Sequence, residues 1–140
     1  LCSFSDRNAE LVKKLQYRNI NMNVKLAEAL LRFPHSQRSG RANDEVMRIV
    51  SQFRTPVYLT DYEILFDPRY DLDVLKVFCE ISRRQKVVVK WCGTCDDGDN
   101  LEYATPEYQD YHSFRIADYD IICVYLEGNK ACHVFTGRSS

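Results

Sequence analysis

Pro56-Val57-Tyr58-Leu59-Thr60-Asp61-Tyr62-Glu63-Ile64-Leu65-Phe66-Asp67-Pro68 is the stretch on which the fold turns. Its first half is apolar without a clean alternation, which suits a central strand covered on both faces. Asp61 ends that strand. The next strong strand, Lys86-Val87-Val88-Val89-Lys90-Trp91, is again continuous and β-branched. Between the two, Leu72, Leu75, Phe78, Cys79 and Ser82 recur at helical spacing and predict a helix over about 71–84. Strands separated by helices of this length imply βαβ units and a mostly parallel sheet, in which ligands collect at the carboxyl ends of the strands.

Upstream, Ile20-Asn21-Met22-Asn23-Val24 alternates like a short strand, and Val24 opens a helix through Ala27, Leu30 and Leu31 that ends at Phe33-Pro34. His35 to Arg41 reads as a polar loop. A helix from Asn43 has Asp44 and Glu45 in its first turn, where carboxylates suit the helix dipole, and buries Val46, Ile49, Val50 and Phe53. Ser5 is a good N-cap for a helix over about residues 6–16, with Leu11, Val12 and Leu15 as its apolar stripe. No strand is apparent ahead of that helix, as in a βα unit whose strand lies before residue 1. Downstream, Cys92 to Asn100 is a Gly/Asp-rich loop and residues 101–118 are aromatic and irregular. Asp120 to Leu126 is a third strong strand, with Lys130 to Phe135 as its antiparallel partner across Glu127-Gly128-Asn129. Residues 1–140 are thus expected to form one α/β domain, a mostly parallel sheet flanked by helices with a C-terminal antiparallel strand.

Composition narrows the function. The 17 aromatic residues (one Trp, nine Tyr, seven Phe) argue against disorder. The 19 basic and 20 acidic side chains leave a net charge of −1. No global basic field exists to gather nucleic acid, so any such contact needs a local patch. Apolar runs are too short to span a bilayer, and Leu1-Cys2-Ser3-Phe4 has neither the basic nor the apolar region of a signal peptide. The expectation is a cytoplasmic protein without membrane contact. In that setting the six cysteines read as reduced thiols rather than a disulfide framework.

An aspartate closing an apolar strand can hold Mg²⁺ through water beside a nucleotide's phosphates, and a nearby carboxylate can orient the attacking water. Asp61 is therefore the candidate metal residue, and Asp61 with Glu63 the candidate catalytic pair. The alternative is an aspartate that only caps the next turn. Leu1 to Asn8 occupy the place of a phosphate loop. Set against G-x-x-x-x-G-K-[ST], Leu1 and Asp6 replace the glycines, Arg7 the lysine and Asn8 the hydroxyl residue. Ser5, Asp6, Arg7 and Asn8 are the candidate ATP-binding residues of a P-loop NTPase-like site, although as residues alone they read first as a capped helix start. Cys92-Gly93-Thr94-Cys95 is half of a zinc motif, with Cys132 and His133 the nearest further pair; unliganded thiols are the default. Arg83-Arg84 suit the end of a helix. The tyrosine-rich run from Tyr103 to Tyr119 lies among acidic residues and suits a core or protein-facing role better than base stacking.

Asn19 to Val24, Leu59 to Pro68, Leu72-Asp73-Val74-Leu75, Ile81-Ser82-Arg83-Arg84, Val87 to Trp91, Leu101-Glu102-Tyr103-Ala104 and Asp118-Tyr119-Asp120-Ile121 carry a resemblance. Over Tyr17 to about Tyr125 the chain resembles the small P-loop protein of type 3 BREX (bacteriophage exclusion) systems, the BrxF family. The resemblance implies a P-loop fold and a role in bacterial defence against phage, with Asp61 and Glu63 as a Walker B-like pair. It departs at the loop, where the family's G-K-T is Asp6-Arg7-Asn8, which puts ATP hydrolysis in doubt. The expected function is an accessory subunit of a defence complex, acting through other subunits and open to homo-oligomerisation. The alternatives are a working Mg²⁺-dependent ATPase, with Arg7 or a partner's lysine supplying the missing charge, and a DNA-contacting module using Arg38, Arg41, Arg83, Arg84 and Arg115. Overall charge does not favour the last.

Overall fold

The computed structural model describes residues 2–3, 16–96, 99–127 and 131–136. The helix expected over about 6–16, the phosphate-loop candidates Ser5, Asp6, Arg7 and Asn8, and the turn around Gly128 lie outside the described residues.

The chain opens with β1 (Cys2–Ser3) and β2 (Arg18–Asn21), followed by α1 (Met22–Leu30). A 3₁₀ turn at His35–Gln37 leads into α2 (Arg38–Ser51), then β3 (Val57–Thr60). Further 3₁₀ turns at Glu63–Phe66 and Pro68–Tyr70 precede α3 (Val74–Ser82) and β4 (Val87–Lys90). Next come β5 (Thr94–Asp96), β6 (Asn100–Tyr103) and β7 (His112–Arg115), and finally β8 (Ile122–Glu127) and β9 (Ala131–Thr136).

Caps set the helix starts. The Asn21 side chain accepts from the Val24 amide at 3.2 Å, so α1 begins at Met22 rather than at Val24. The Asp73 side chain does the same for the Lys76 amide at 3.1 Å, and α3 begins at Val74 instead of near residue 71. The segment expected to be a loop up to Arg41 is mostly helical. Pro34 sets an extended backbone ahead of the 3₁₀ turn, which runs straight into α2 at Arg38. Asp44 and Glu45 therefore sit in the middle of α2, and Glu45 is buried there.

The main sheet has the order β2-β3-β4-β1-β8-β9. All its pairings are parallel except the last, β8 with β9. The C-terminal antiparallel strand thus forms as the pattern predicts. β1 was not apparent as a strand: a two-residue strand carries no periodicity, and only its pairing with β4 and β8 reveals it. Val57, Tyr58 and Leu59 are all buried, which is why this strand shows no alternation. Residues 101–118 are also more ordered than their composition implies. β5, β6 and β7 make a separate three-stranded antiparallel sheet.

The core runs through both sheets. Ile20, Leu26, Val46, Ile49, Leu59, Leu75, Phe78 and Ile81 join α1, α2 and α3 to the main sheet. Leu101, Phe114 and Trp91 continue it under the second sheet. Phe66 is the hub between them: it stacks on Tyr103 with ring centroids 3.8 Å apart and meets Trp91 and Phe114 edge-on.

Candidate functional site

The parallel strands bring the ends of β3 and β4 to one edge of the sheet, where Asp61 follows β3 and Trp91-Cys92 follow β4. Asp61 is in the left-handed region (φ 50°) and exposed. Aspartate is among the non-glycine residues enriched in that region. Among the described residues no hydrogen bond or ion pair engages its carboxylate, while its backbone carbonyl accepts from the Asn23 amide at 2.6 Å.

Asn23 then holds the rest of the turn. Its Nδ2 donates to Glu63 Oε2 at 2.8 Å, and its Oδ1 accepts from the Ile64 amide at 2.9 Å. It reaches the turn because β2 and β3 run in register, Asn21 beside Thr60, and Asn23 lies in the first turn of α1 directly beyond. The candidate pair is therefore close in the chain but unlike in state. Asp61 faces outward; Glu63 is half-buried and bound to an amide.

Tyr62, between them, points inward and is fully buried. Its hydroxyl donates to the Lys90 carbonyl at 2.6 Å and accepts from the Cys92 amide at 3.1 Å, and its ring meets Phe78 edge-on at 5.0 Å. This bolts the end of β3 to the end of β4. Neither Asn23 nor Tyr62 stood out as a site residue in the sequence. Asn23 lay inside the expected strand Ile20–Val24 and carried no signal of its own, whereas Tyr62 was one aromatic among many.

A concavity of about 460 Å³ opens beside this turn, lined by Glu63, Ile64, Asp67, Pro68, Gln109 and Asp110. Three of its six lining residues are acidic and none is basic, so a polyphosphate entering here needs a cation from elsewhere. Asp67 is already neutralised. Arg69 forks onto both its oxygens at 2.6 to 3.1 Å, and these hydrogen bonds hold the Asp67 carboxyl below the ordinary carboxylate range. No cluster of three or more His, Cys, Asp or Glu side chains able to hold a metal ion occurs among the described residues.

Cys92 and Cys95 flank the turn between β4 and β5, half-buried and without a disulfide. Burial pushes the Cys92 thiol up to about 12, with the hydrogen bond to Tyr62 acting the other way and the Glu63 charge adding to the rise. Cys132 and His133 lie on β9, which β1 and β8 separate from β4. That is roughly 14 Å across the sheet at the usual strand spacing. Gly93 sits between the thiols with no room for a side chain, because a Cβ there would collide with the Glu102 backbone carbonyl.

Two tyrosines of the 103–119 run are structural. Tyr103 stacks on Phe66, and Tyr119 packs on Phe114 and donates to Asp73 Oδ2 at 2.8 Å. The arginines grouped earlier as a nucleic-acid set are dispersed: Arg38 and Arg41 begin α2, Arg83 and Arg84 follow α3, and Arg115 ends β7.

No protein-family model, no curated protein sequence and no solved structure matches this chain. No helix among the described residues is long and apolar enough to cross a membrane.

Proposed function

We propose that the chain is an accessory subunit of a phage-defence complex of the bacteriophage-exclusion type, with a P-loop-like nucleotide site whose phosphate loop has decayed, and that it acts through protein partners. The strand order carries the nucleotide half of this reading. β1 lies between β4 and β8, and the chain leaves it for β2 at the sheet edge, whereas β2 to β3, β3 to β4 and, by way of the second sheet, β4 to β8 run in the opposite direction. Doubly wound sheets bind ligands where the winding reverses, outside the carboxyl ends of the strands. Phe4 to Asn8 follow the carboxyl end of β1 in the sequence, and Asp61 follows β3, two strands or roughly 10 Å away. A Mg²⁺-bound triphosphate bridges such a distance.

Two features support weak or absent turnover. The glutamate that would orient an attacking water is held by Asn23, and the loop offers Asp6 and Leu1 where glycine amides would wrap a phosphate. The defence role rests on the resemblance over Tyr17 to Tyr125. Titration with labelled Mg²⁺–ATP tests the site: the isolated chain should bind far more weakly than the low-micromolar range, and micromolar affinity would refute the decayed loop. Retrieval of the tagged chain from its native cells tests the role. A larger ATPase should co-purify, and deletion of the coding sequence should raise phage plating. Unchanged plating would sink the defence assignment while leaving the site open to the titration.

A further inference from the structure

The charge of this chain is sharply divided. Residues 16–56, which include α1 and α2, hold seven basic and three acidic side chains; residues 57–127 hold seven basic and fifteen acidic ones. Within the basic part, a groove of about 280 Å³ lies between α1 and α2, lined by Lys25, Glu28, Ala29, Arg32, Arg48, Ile49 and Gln52. Glu45 organises it from beneath. Its side chain is only 9% exposed, and a single oxygen, Oε2, takes Arg32 at 3.1 Å and Arg48 at 2.7 Å.

A guanidinium has five N–H donors. Arg48 gives Glu45 its Nε, while Arg32 uses one terminal nitrogen on Glu45 and its Nε on the Ala29 carbonyl. The Arg32 and Arg48 side chains remain 57% and 42% exposed, so further donors on both are open to solvent. Beyond the groove the basic strip continues in both directions. Arg18 and Lys25 lie over the Phe53 ring, each 5.5 Å from its centroid, and Arg32 and Arg41 lie over Phe33 at 6.0 and 5.1 Å. Against these stand two exposed acids, Glu28 and Asp44.

We infer that the α1–α2 face binds the phosphodiester backbone of a nucleic acid strand, with Arg32 and Arg48 as the oriented central contacts and Arg18, Lys25 and Arg41 extending the track. A structural ion pair needs Glu45 and its two arginines. It does not need Lys25 and Gln52 on the same concavity, nor two further arginines over the rings of Phe53 and Phe33. Planar guanidinium groups fixed by a buried acceptor lose little freedom when they fork onto phosphate oxygens. Contacts of this kind go to the backbone, so binding should be indifferent to base sequence. This inference is independent of the nucleotide site, which lies at the ends of the strands.

Anisotropy of a fluorescein-labelled, mixed-sequence single-stranded oligonucleotide titrated with the whole chain tests it. Binding should appear at low salt and weaken steeply as salt rises. Lys25→Gln and Arg41→Gln leave Glu45 paired, so their melting temperatures should match wild type. Each should weaken binding several-fold and reduce the salt slope by about 0.7, the share of one phosphate contact on a single strand. Glu45→Gln combined with Arg48→Gln should do the same without stranding a buried charge, and Arg83→Gln should change nothing. No binding at low salt overturns the inference, as does salt-dependent binding untouched by Lys25→Gln and Arg41→Gln. So does displacement by polyglutamate as efficient as by unlabelled DNA, which would assign the face to an acidic protein partner.

Discussion

Asp61 and Cys92 end neighbouring strands, and their environments differ completely. Asp61 is exposed in a conformation that asparagine also accepts, so Asp61→Asn should change stability by less than about 0.5 kcal/mol. If the P-loop-like reading holds, millimolar Mg²⁺–ATP should raise the melting temperature of the wild type and not of Asp61→Asn. Identical melts in all four conditions would reduce Asp61 to a solvated turn residue. Cys92 is governed by burial. Its thiol ionises at about 12 in the folded chain against an ordinary 9.0, so its contribution to stability is complete below pH 9.0 and is lost as pH rises toward 12. At pH 8 to 9, iodoacetamide should modify Cys92 much more slowly than the same thiol in the denatured chain. Equal rates would show that Tyr62 and the overlying sheet do not shield it.

At the scale of the element, the turn after β3 is organised by α1. Asn23 makes three contacts with residues 61–64, two of them through its side chain. Asn23→Ala removes both side-chain bonds and leaves the half-buried Ile64 amide without a partner, so it should cost about 1 to 3 kcal/mol in a denaturant melt. A cost near zero would mean that water replaces the amide freely and that the turn holds itself. The joint between the two sheets depends on Gly93. Gly93→Ala drives a Cβ into the Glu102 carbonyl on β6, so the turn between β4 and β5 must move away from β6. The expected result is a loss above 2 kcal/mol with altered near-ultraviolet dichroism of Trp91, whose indole N–H donates to the Thr94 carbonyl at 3.1 Å. An unchanged melt would show that the second sheet moves as a loose flap.

For the molecule as a whole, acid stability reports on the loop beside the site. Arg69 lowers the Asp67 carboxyl below 3.8, so the pair's contribution is present above that pH and disappears as pH falls through the lower folded value. Unfolding curves of wild type and Arg69→Gln should differ slightly at neutral pH and converge in strong acid. A constant difference down to the lowest pH would show that Arg69 acts through packing. The effect is small because the Arg69 side chain is 65% exposed. The larger-scale property is the charge division, which a net charge of −1 conceals. A dipolar molecule of this kind can present a basic face to one partner and acidic strand ends to another.

Much of this was legible in the order of residues. Continuous apolar runs at Val57–Leu59 and Val87–Val89 marked central strands, since burial on both faces abolishes alternation. The 3.6-residue spacing of Val46, Ile49 and Val50 marked the inner face of a helix that the structure buries. That Asp61 closes β3 was also legible, since the apolar run stops at it. Contacts over long sequence separation were not legible. Cys2–Ser3 is a strand only because Val89-Lys90 and Cys123-Val124 lie on either side of it. The Asn23–Glu63 bond spans 40 residues, and the Tyr62 bolt to Cys92 spans 30. Local sequence fixes propensity and periodicity, which act over a few residues. Whether a polar atom is buried, and which partner it finds there, depends on which distant segments pack above it.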